Sequence, residues 1–112
     1  MRPPEVIITY VTAPDEQTAS NLASELVEQR LAACVNVIPG VTSHYRWEGK
    51  ACTDTELLMI IKTEKSKFSA VRDFMLNKHP YDLPEIIAVD ITDGFSSYLN
   101  WVISETSQQK DK

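Results

Sequence analysis

The chain is poor in the residues that usually mark chemistry. Among its 112 residues only Cys34 and Cys52 are cysteines, too few for a disulfide framework. The only histidines are His44 and His79, and no CxxC, HxH or HExxH spacing occurs, so no local motif marks a metal or haem site. Gly40, Gly49 and Gly94 are the only glycines, which excludes a glycine-rich phosphate loop. The eleven Lys and Arg are scattered under a net charge of -5, so the basic patch of a nucleic-acid binder is missing. No apolar run approaches the ~20 residues of a membrane helix, and the opening MRPPEV lacks the basic, apolar and small-residue order of a signal peptide. These absences predict a soluble cytoplasmic protein that takes neither nucleic acid nor membrane as a partner.

What is present predicts one domain over residues 1–112 with a polar tail over 105–112, because 43% hydrophobic content is enough for a single core. Val6 to Val11 is an apolar, β-branched run, the pattern of a strand buried on both faces. Thr12 then stands three residues before Asp15 in a T-x-x-D arrangement that predicts a helix start, with Ala19, Leu22, Ala23, Leu26 and Val27 as its apolar stripe. Leu31 to Lys50 reads as one long strand closed by a turn at Glu48-Gly49. Leu57 to Ile61 should pair antiparallel with Cys34 to Ile38 in a central position. Ser66 is placed to cap a second helix, packed by Phe68, Val71, Phe74 and Met75 and stopped by Pro80. Glu85 to Ile91 reads as a fourth strand. Phe95 to Ile103 reads as a short terminal helix packed by Tyr98, Leu99, Trp101 and Val102. The order predicts an α+β fold, a ferredoxin-like βαββαβ antiparallel sheet with an extended β2-β3 hairpin and a short C-terminal helix.

The hairpin is the unusual part. At about 3.3 Å per residue, Cys34 to Trp47 would reach roughly 45 Å, whereas a domain of this length has a radius of gyration near 13 Å. The hairpin must bend or overhang. Its outer half carries Tyr45 and Trp47 at period two, too much aromatic surface for a solitary ribbon, so a second chain is the expected cover.

Candidate chemistry falls on few residues. Cys34 sits on the central strand as a small hydrophobe or as a soft ligand. Counting back from the turn places Lys62 opposite Val35, one residue away, where an ammonium would favour the thiolate. His79 precedes Pro-Tyr at a helix end, a position that suits either a hydrogen-bonding group or a ligand. Tyr45, Trp47, Glu48, Tyr81, Glu85, Tyr98 and Trp101 form a polar-aromatic set that suits an interface and core, or a cleft between subunits in which Cys34 and Lys62 face a small anion or a metal complex. Three functions fit these residues: a binding protein for a metal ion or small molecule, an enzyme with Cys34 as nucleophile, and a ligand-free structural or adaptor assembly. The enzyme needs a base within hydrogen-bond reach of Cys34, and neither histidine is placed to serve.

The stretches TAPDE (Thr12 to Glu16), LAACVNVIPGVTSHYRWEGK, IIKT (Ile60 to Thr63), HPYDLPEII (His79 to Ile87) and YLNWV (Tyr98 to Val102) together resemble the CutA divalent-cation tolerance family. The resemblance runs in the same order over about nine-tenths of the chain. It implies a homotrimer joined by interlocking long hairpins, an architecture similar to the PII signalling proteins, and an association with copper, as Cu(I) or Cu(II), and other divalent cations. The family's copper pattern has a Cys before TAPDE and a His-His pair before Pro-Tyr, whereas this sequence has Val11 and Lys78-His79. Of that trio only His79 remains, so a complete copper site would need Cys34, His44 or Met59 brought in by assembly.

Overall fold

A computed structural model describes residues 5–107. Its elements are β1 (Val6–Ala13), α1 (Glu16–Glu28), β2 (Cys34–Trp47), β3 (Lys50–Glu64), a single 3-10 turn (Lys65–Lys67), α2 (Phe68–Lys78), β4 (Ile86–Asp90) and α3 (Ser96–Thr106). The four strands form one antiparallel sheet in the order β2-β3-β1-β4. The expected fold is therefore the observed one.

Side-chain alternation on β3 divides the sheet into two faces. Leu57, Met59, Ile61 and Thr63 are buried, and the first three join Val11, Leu22, Leu26, Val71 and Met75 in the main core. The α1 stripe supplies its share as expected, except that Val27 at its end is exposed. Leu58, Ile60, Lys62 and Glu64 point the other way and are only partly covered.

Several boundaries move for local reasons. Thr12 does not cap α1, because Thr12 and Ala13 are held in the ladder opposite Leu58 and Leu57. Asp15 is the cap instead. Its carboxylate accepts the Thr18 amide at 2.8 Å, and hydrogen bonds from Thr18 hold its carboxyl below the usual range. Ser66 does not cap α2: it lies inside the 3-10 turn, and α2 begins at Phe68 without a side-chain cap. The last helix runs a turn longer than expected, so the polar tail does not begin at 105. Thr106 is buried and its hydroxyl donates to the Val102 carbonyl at 2.9 Å, while residues 108–112 lie outside the described residues. Of the residues expected to pack this helix, Val102 is buried, whereas Tyr98 and Trp101 are 39% and 42% exposed.

The end of α1 explains how α3 is held. Arg30 has φ 61, and its neighbours close the helix with Leu31 N to Leu26 O at 2.9 Å and Arg30 N to Val27 O at 3.1 Å, the Schellman arrangement that glycine usually serves. Arginine is used there because its guanidinium donates to the Glu105 carbonyl at 2.9 Å, which satisfies a last-turn acceptor of α3 with a positive charge.

The hairpin turns at Glu48 (φ 52) and Gly49 (φ 80), between Trp47 and its partner Lys50. Two positive φ values define the two-residue turn whose twist suits a hairpin. Farther in, Ile38 pairs with Leu58 but Val41 pairs with Glu56, leaving Pro39 and Gly40 opposite Leu57 alone. This bulge, with Gly40 at φ 75, adds one residue to β2. It corrects the register expected from the turn: Lys62 lies opposite Cys34, not Val35. It also changes faces. Val35 and Val37 pack on the core, while Val41, Ser43 and Tyr45 pair with Glu56, Asp54 and Cys52 on the opposite face of β3.

Two substitutions test this account of the core. Leu26→Ala, at a fully buried position of α1, is expected to cost about 2–5 kcal/mol in urea unfolding at fixed protein concentration. Thr9 is fully buried and its hydroxyl has no partner among the described residues. Thr9→Val, which keeps the branched shape and removes the orphaned group, is therefore expected to stabilise by about 1–2 kcal/mol; a destabilised variant would show that the hydroxyl is satisfied in solution.

Candidate functional site

The candidate residues separate into two places. The first is a cleft of about 690 Å³ where the hairpin overhangs the end of β1. Its walls are Ser43, His44, Tyr45, Arg46, Trp47, Asp54 and Glu56 from the hairpin, Thr12 from β1, and Tyr81, Asp82, Leu83, Pro84 and Glu85 from the loop between α2 and β4. Of the expected cleft residues, Tyr45, Trp47, Tyr81 and Glu85 meet here. Glu48 does not: it occupies the turn and lines no part of the cleft.

His79 sets the position of the loop. The residue is 7% exposed. The Tyr81 amide donates to Nδ1 at 3.1 Å, so Nδ1 carries the lone pair and Nε2 donates to the Thr12 carbonyl at 2.8 Å. Both nitrogens are occupied, which leaves no lone pair for a metal. An edge contact of 4.8 Å between the rings of His79 and Tyr81 then fixes the tyrosine, and its hydroxyl donates to Glu56 Oε2 at 2.7 Å. Tyr45 makes a parallel bond to Asp54.

These bonds tune the phenols. Donation to Asp54 pushes Tyr45 up to about 12. Burial, followed by the bond to Glu56, pushes Tyr81 well above the usual phenol range. Both stay neutral donors at physiological pH. Asp54, Glu56, Asp82 and Glu85 line the cleft with Arg46 as its one Lys or Arg, and among the described residues none of the four carboxylates is ion-paired.

The second place lies toward the other end of the hairpin. Lys62 is paired across the ladder with Cys34, and its Nζ lies 5.9 Å from the centre of the Tyr98 ring, within reach of a cation–π attraction. The Tyr98 and Trp101 rings follow at 5.5 Å, tilted by 37°. Cys34 is half-buried, with Asn36 Oδ1 at 3.9 Å from its sulfur. These four expected residues do come together, but apart from the acidic cleft.

The expected metal ligands do not converge on one chain. Cys34 and His44 are ten residues apart on β2, roughly 30 Å at strand spacing. His44 is exposed, with Nδ1 3.2 Å from the Thr53 hydroxyl. Met59 is fully buried in the core. Among the described residues no group of three or more His, Cys, Asp or Glu side chains is placed to hold a metal ion.

Asp54, Glu56 and Thr12 were not singled out from the sequence as site residues. The available signal was alternation: Glu56, Leu58, Ile60 and Lys62 share a face at period two, which makes Glu56 the acidic counterpart of a lysine already of interest. The reach of Tyr81 to Glu56 had no such signal, because it depends on the path of the loop.

The chain is similar to known proteins over nearly its whole length. The family described as CutA1 divalent ion tolerance protein matches residues 7–105. Human "Protein CutA" is 45% identical over 109 residues, covering 97% of this chain and 61% of the relative. The Arabidopsis thaliana "Protein CutA, chloroplastic" is 44% identical over 100 residues, covering 89% of this chain and 55% of the relative. The chain thus spans little more than half the length of these two relatives. The solved structure titled "Divalent cation tolerance protein (Cut A1)" from Thermus thermophilus superposes with a TM-score of 0.89 at 42% identity, covering 91% of this chain and 99% of that one. With the fold, the hairpin and the sequence in agreement, the chain belongs to the CutA1 divalent ion tolerance family.

Proposed function

We propose that the protein is a homotrimeric cytoplasmic binding protein that serves tolerance to divalent metal ions and binds copper, its subunits joined through the β2-β3 hairpin. The observation that carries the assembly is the overhang. Seven residue pairs, from Val41↔Glu56 to Trp47↔Lys50, extend past the last pairing of β1, and Tyr45 and Trp47 near the tip are 41% and 44% exposed. Ile38, Ile87 and Val89 are also exposed, on the two outer strands of the sheet. Such surface favours burial against copies of itself, and closed cyclic symmetry satisfies every copy at once.

The metal role is supported by the titles of the relatives and by the soft thiol of Cys34 beside the Lys62 ammonium. Because one chain does not gather a ligand set, copper is held in this reading by Cys34 with donors from other subunits. Catalysis is not part of it: neither histidine stands near Cys34, so the thiol lacks a base. Cytoplasmic residence is supported by two free cysteines, although the Arabidopsis relative is named for the chloroplast. A second reading, a PII-like small-molecule sensor, draws support from the cleft of about 690 Å³, a size that suits a metabolite. A ligand-free adaptor trimer is the reading that remains if neither site takes a ligand.

Light scattering at micromolar concentration is expected to give about three times the 12.6 kDa chain mass, and Trp47→Asp is expected to weaken the assembly; a monomer would refute the reading. Copper is tested by Cu(I) titration against a competing chelator. Binding is expected to strengthen with rising pH as the thiol deprotonates and to be largely lost in Cys34→Ser, while Cys52→Ser has a smaller effect. Undiminished Cu(I) affinity in Cys34→Ser would reduce Cys34 to a packing residue.

A further inference from the structure

The loop that leaves α2 through His79, Pro80 and Tyr81 is tied to the rest of the chain mainly through one imidazole. Its entry is fixed where the His79 amide donates to the Met75 carbonyl at 2.8 Å and ends α2. From there the His79 ring joins the loop to β1, accepting the Tyr81 amide at Nδ1 and donating to the Thr12 carbonyl from Nε2. The Tyr81 hydroxyl adds a bond to Glu56 on β3. Farther along, Asp82, Leu83 and Glu85 are exposed.

A backbone amide can only donate, so Nδ1 must accept, and it accepts only while it carries no proton. A proton on Nδ1 sets two donors 3.1 Å apart and turns the bond into a repulsion. Burial of the residue leaves little water to take over. Nε2 is unaffected, because it donates to Thr12 in the neutral ring already. The loss therefore falls on the loop and not on β1. The charges around the ring do not offset it. β1 presents the Thr12 carbonyl, and α2 presents Lys78, a like charge whose ammonium pairs with Glu25 of α1 at 3.7 Å. The loop presents the Tyr81 ring in edge contact, and β3 presents Glu56 one hydroxyl bond beyond it. Among the described residues no carboxylate forms an ion pair with His79. The Tyr81 bond thus belongs to the neutral ring alone: it is present at higher pH and lost as the pH falls through the range in which histidine takes up a proton.

We infer that His79 is a pH-sensitive latch, in which a proton taken up at Nδ1 in mild acid frees the Tyr81 amide and loosens the loop over Glu56, while the bond to Thr12 holds the ring in place. The latch requires neither copper nor assembly, since His79, Thr12, Tyr81 and Glu56 belong to one chain.

Nuclear magnetic resonance of the full chain between about pH 8 and about pH 5 tests this. Ring nitrogen shifts of His79 report its protonation, and hydrogen exchange, corrected for the intrinsic pH dependence, reports protection of the Tyr81 amide. Protection is expected to fall at least about tenfold with the same midpoint as the ring titration, while amides in the β1–β3 ladder keep theirs. His79→Asn places an amide oxygen where Nδ1 stood, an acceptor that does not titrate; its Tyr81 amide is expected to stay protected across the range. Tyr81→Phe removes the bond to Glu56 and keeps the backbone donor. In that variant the amide at position 81 is expected to be less protected near pH 8 and to be lost on acidification as before, so the test survives if His79→Asn does not fold. Light scattering at each pH separates release of the loop from loss of assembly. The proposal is overturned if His79 takes up no proton down to about pH 5, if it does so while the Tyr81 amide stays protected, if His79→Asn loses protection as the wild type does, or if the amide is freed only together with the ladder.

Discussion

Everything distinctive in this molecule depends on β3 belonging to two ladders of unequal length. From Leu58 to Lys62 it pairs with β1 on one side and β2 on the other, and from Lys50 to Glu56 it has β2 alone. The inner half obeys the rules of a core strand, with one face apolar and the other partly covered. The outer half is a two-stranded ribbon, a form that is marginal in water without further cover. The change falls at Glu56 and Leu57, where the β1 ladder ends and the Pro39–Gly40 bulge lies opposite.

That junction explains why polar chemistry gathers where it does. A bulge accentuates twist and redirects side chains, so Tyr45 comes to share a face with Asp54 and Glu56. The loop after α2 closes the corner, its backbone and the end of β1 pinned together by the two nitrogens of one imidazole. Neutral phenols then quench one oxygen of each carboxylate without supplying a counter-charge. The result is a negative pocket with aromatic walls at one end of the hairpin. A lysine under a tyrosine ring lies toward the other end. The two have opposite sign, and five residues of β3 separate Glu56 from Lys62.

The fold was largely legible in the sequence because its signals are local. Apolar runs at period two and stripes at period 3.6 located four strands and three helices. The failures share a cause. Thr12 and Ser66 have the chemistry of caps, but the first is claimed by the β1–β3 ladder and the second by a 3-10 turn, so tertiary context outweighed side-chain preference. The register erred by one because Pro-Gly in a long strand signals irregularity without giving its length. Of the site, the aromatic members could be read and the carboxylates could not. Tyr45 and Trp47 stand out as apolar residues where a ribbon should be wet, whereas Asp54 and Glu56 look like ordinary solvated residues until the loop from α2 is laid over them. His79 was ambiguous for a similar reason: its partners, Thr12 and Tyr81, lie on different elements.

The place of β1 in the sheet also bears on how the chain emerges during synthesis. Ile7 pairs with Thr63 on one side and Asp90 on the other. The β2-β3 ribbon closes through a two-residue turn and can form in microseconds, but β1 must wait for β3, and its second edge stays bare until β4 has been made. For that interval the nascent protein shows an unpaired, apolar strand edge, the feature most prone to mispairing with neighbouring chains. Shielding of that edge by the ribosome surface or a chaperone would keep it from mispairing until β4 arrives.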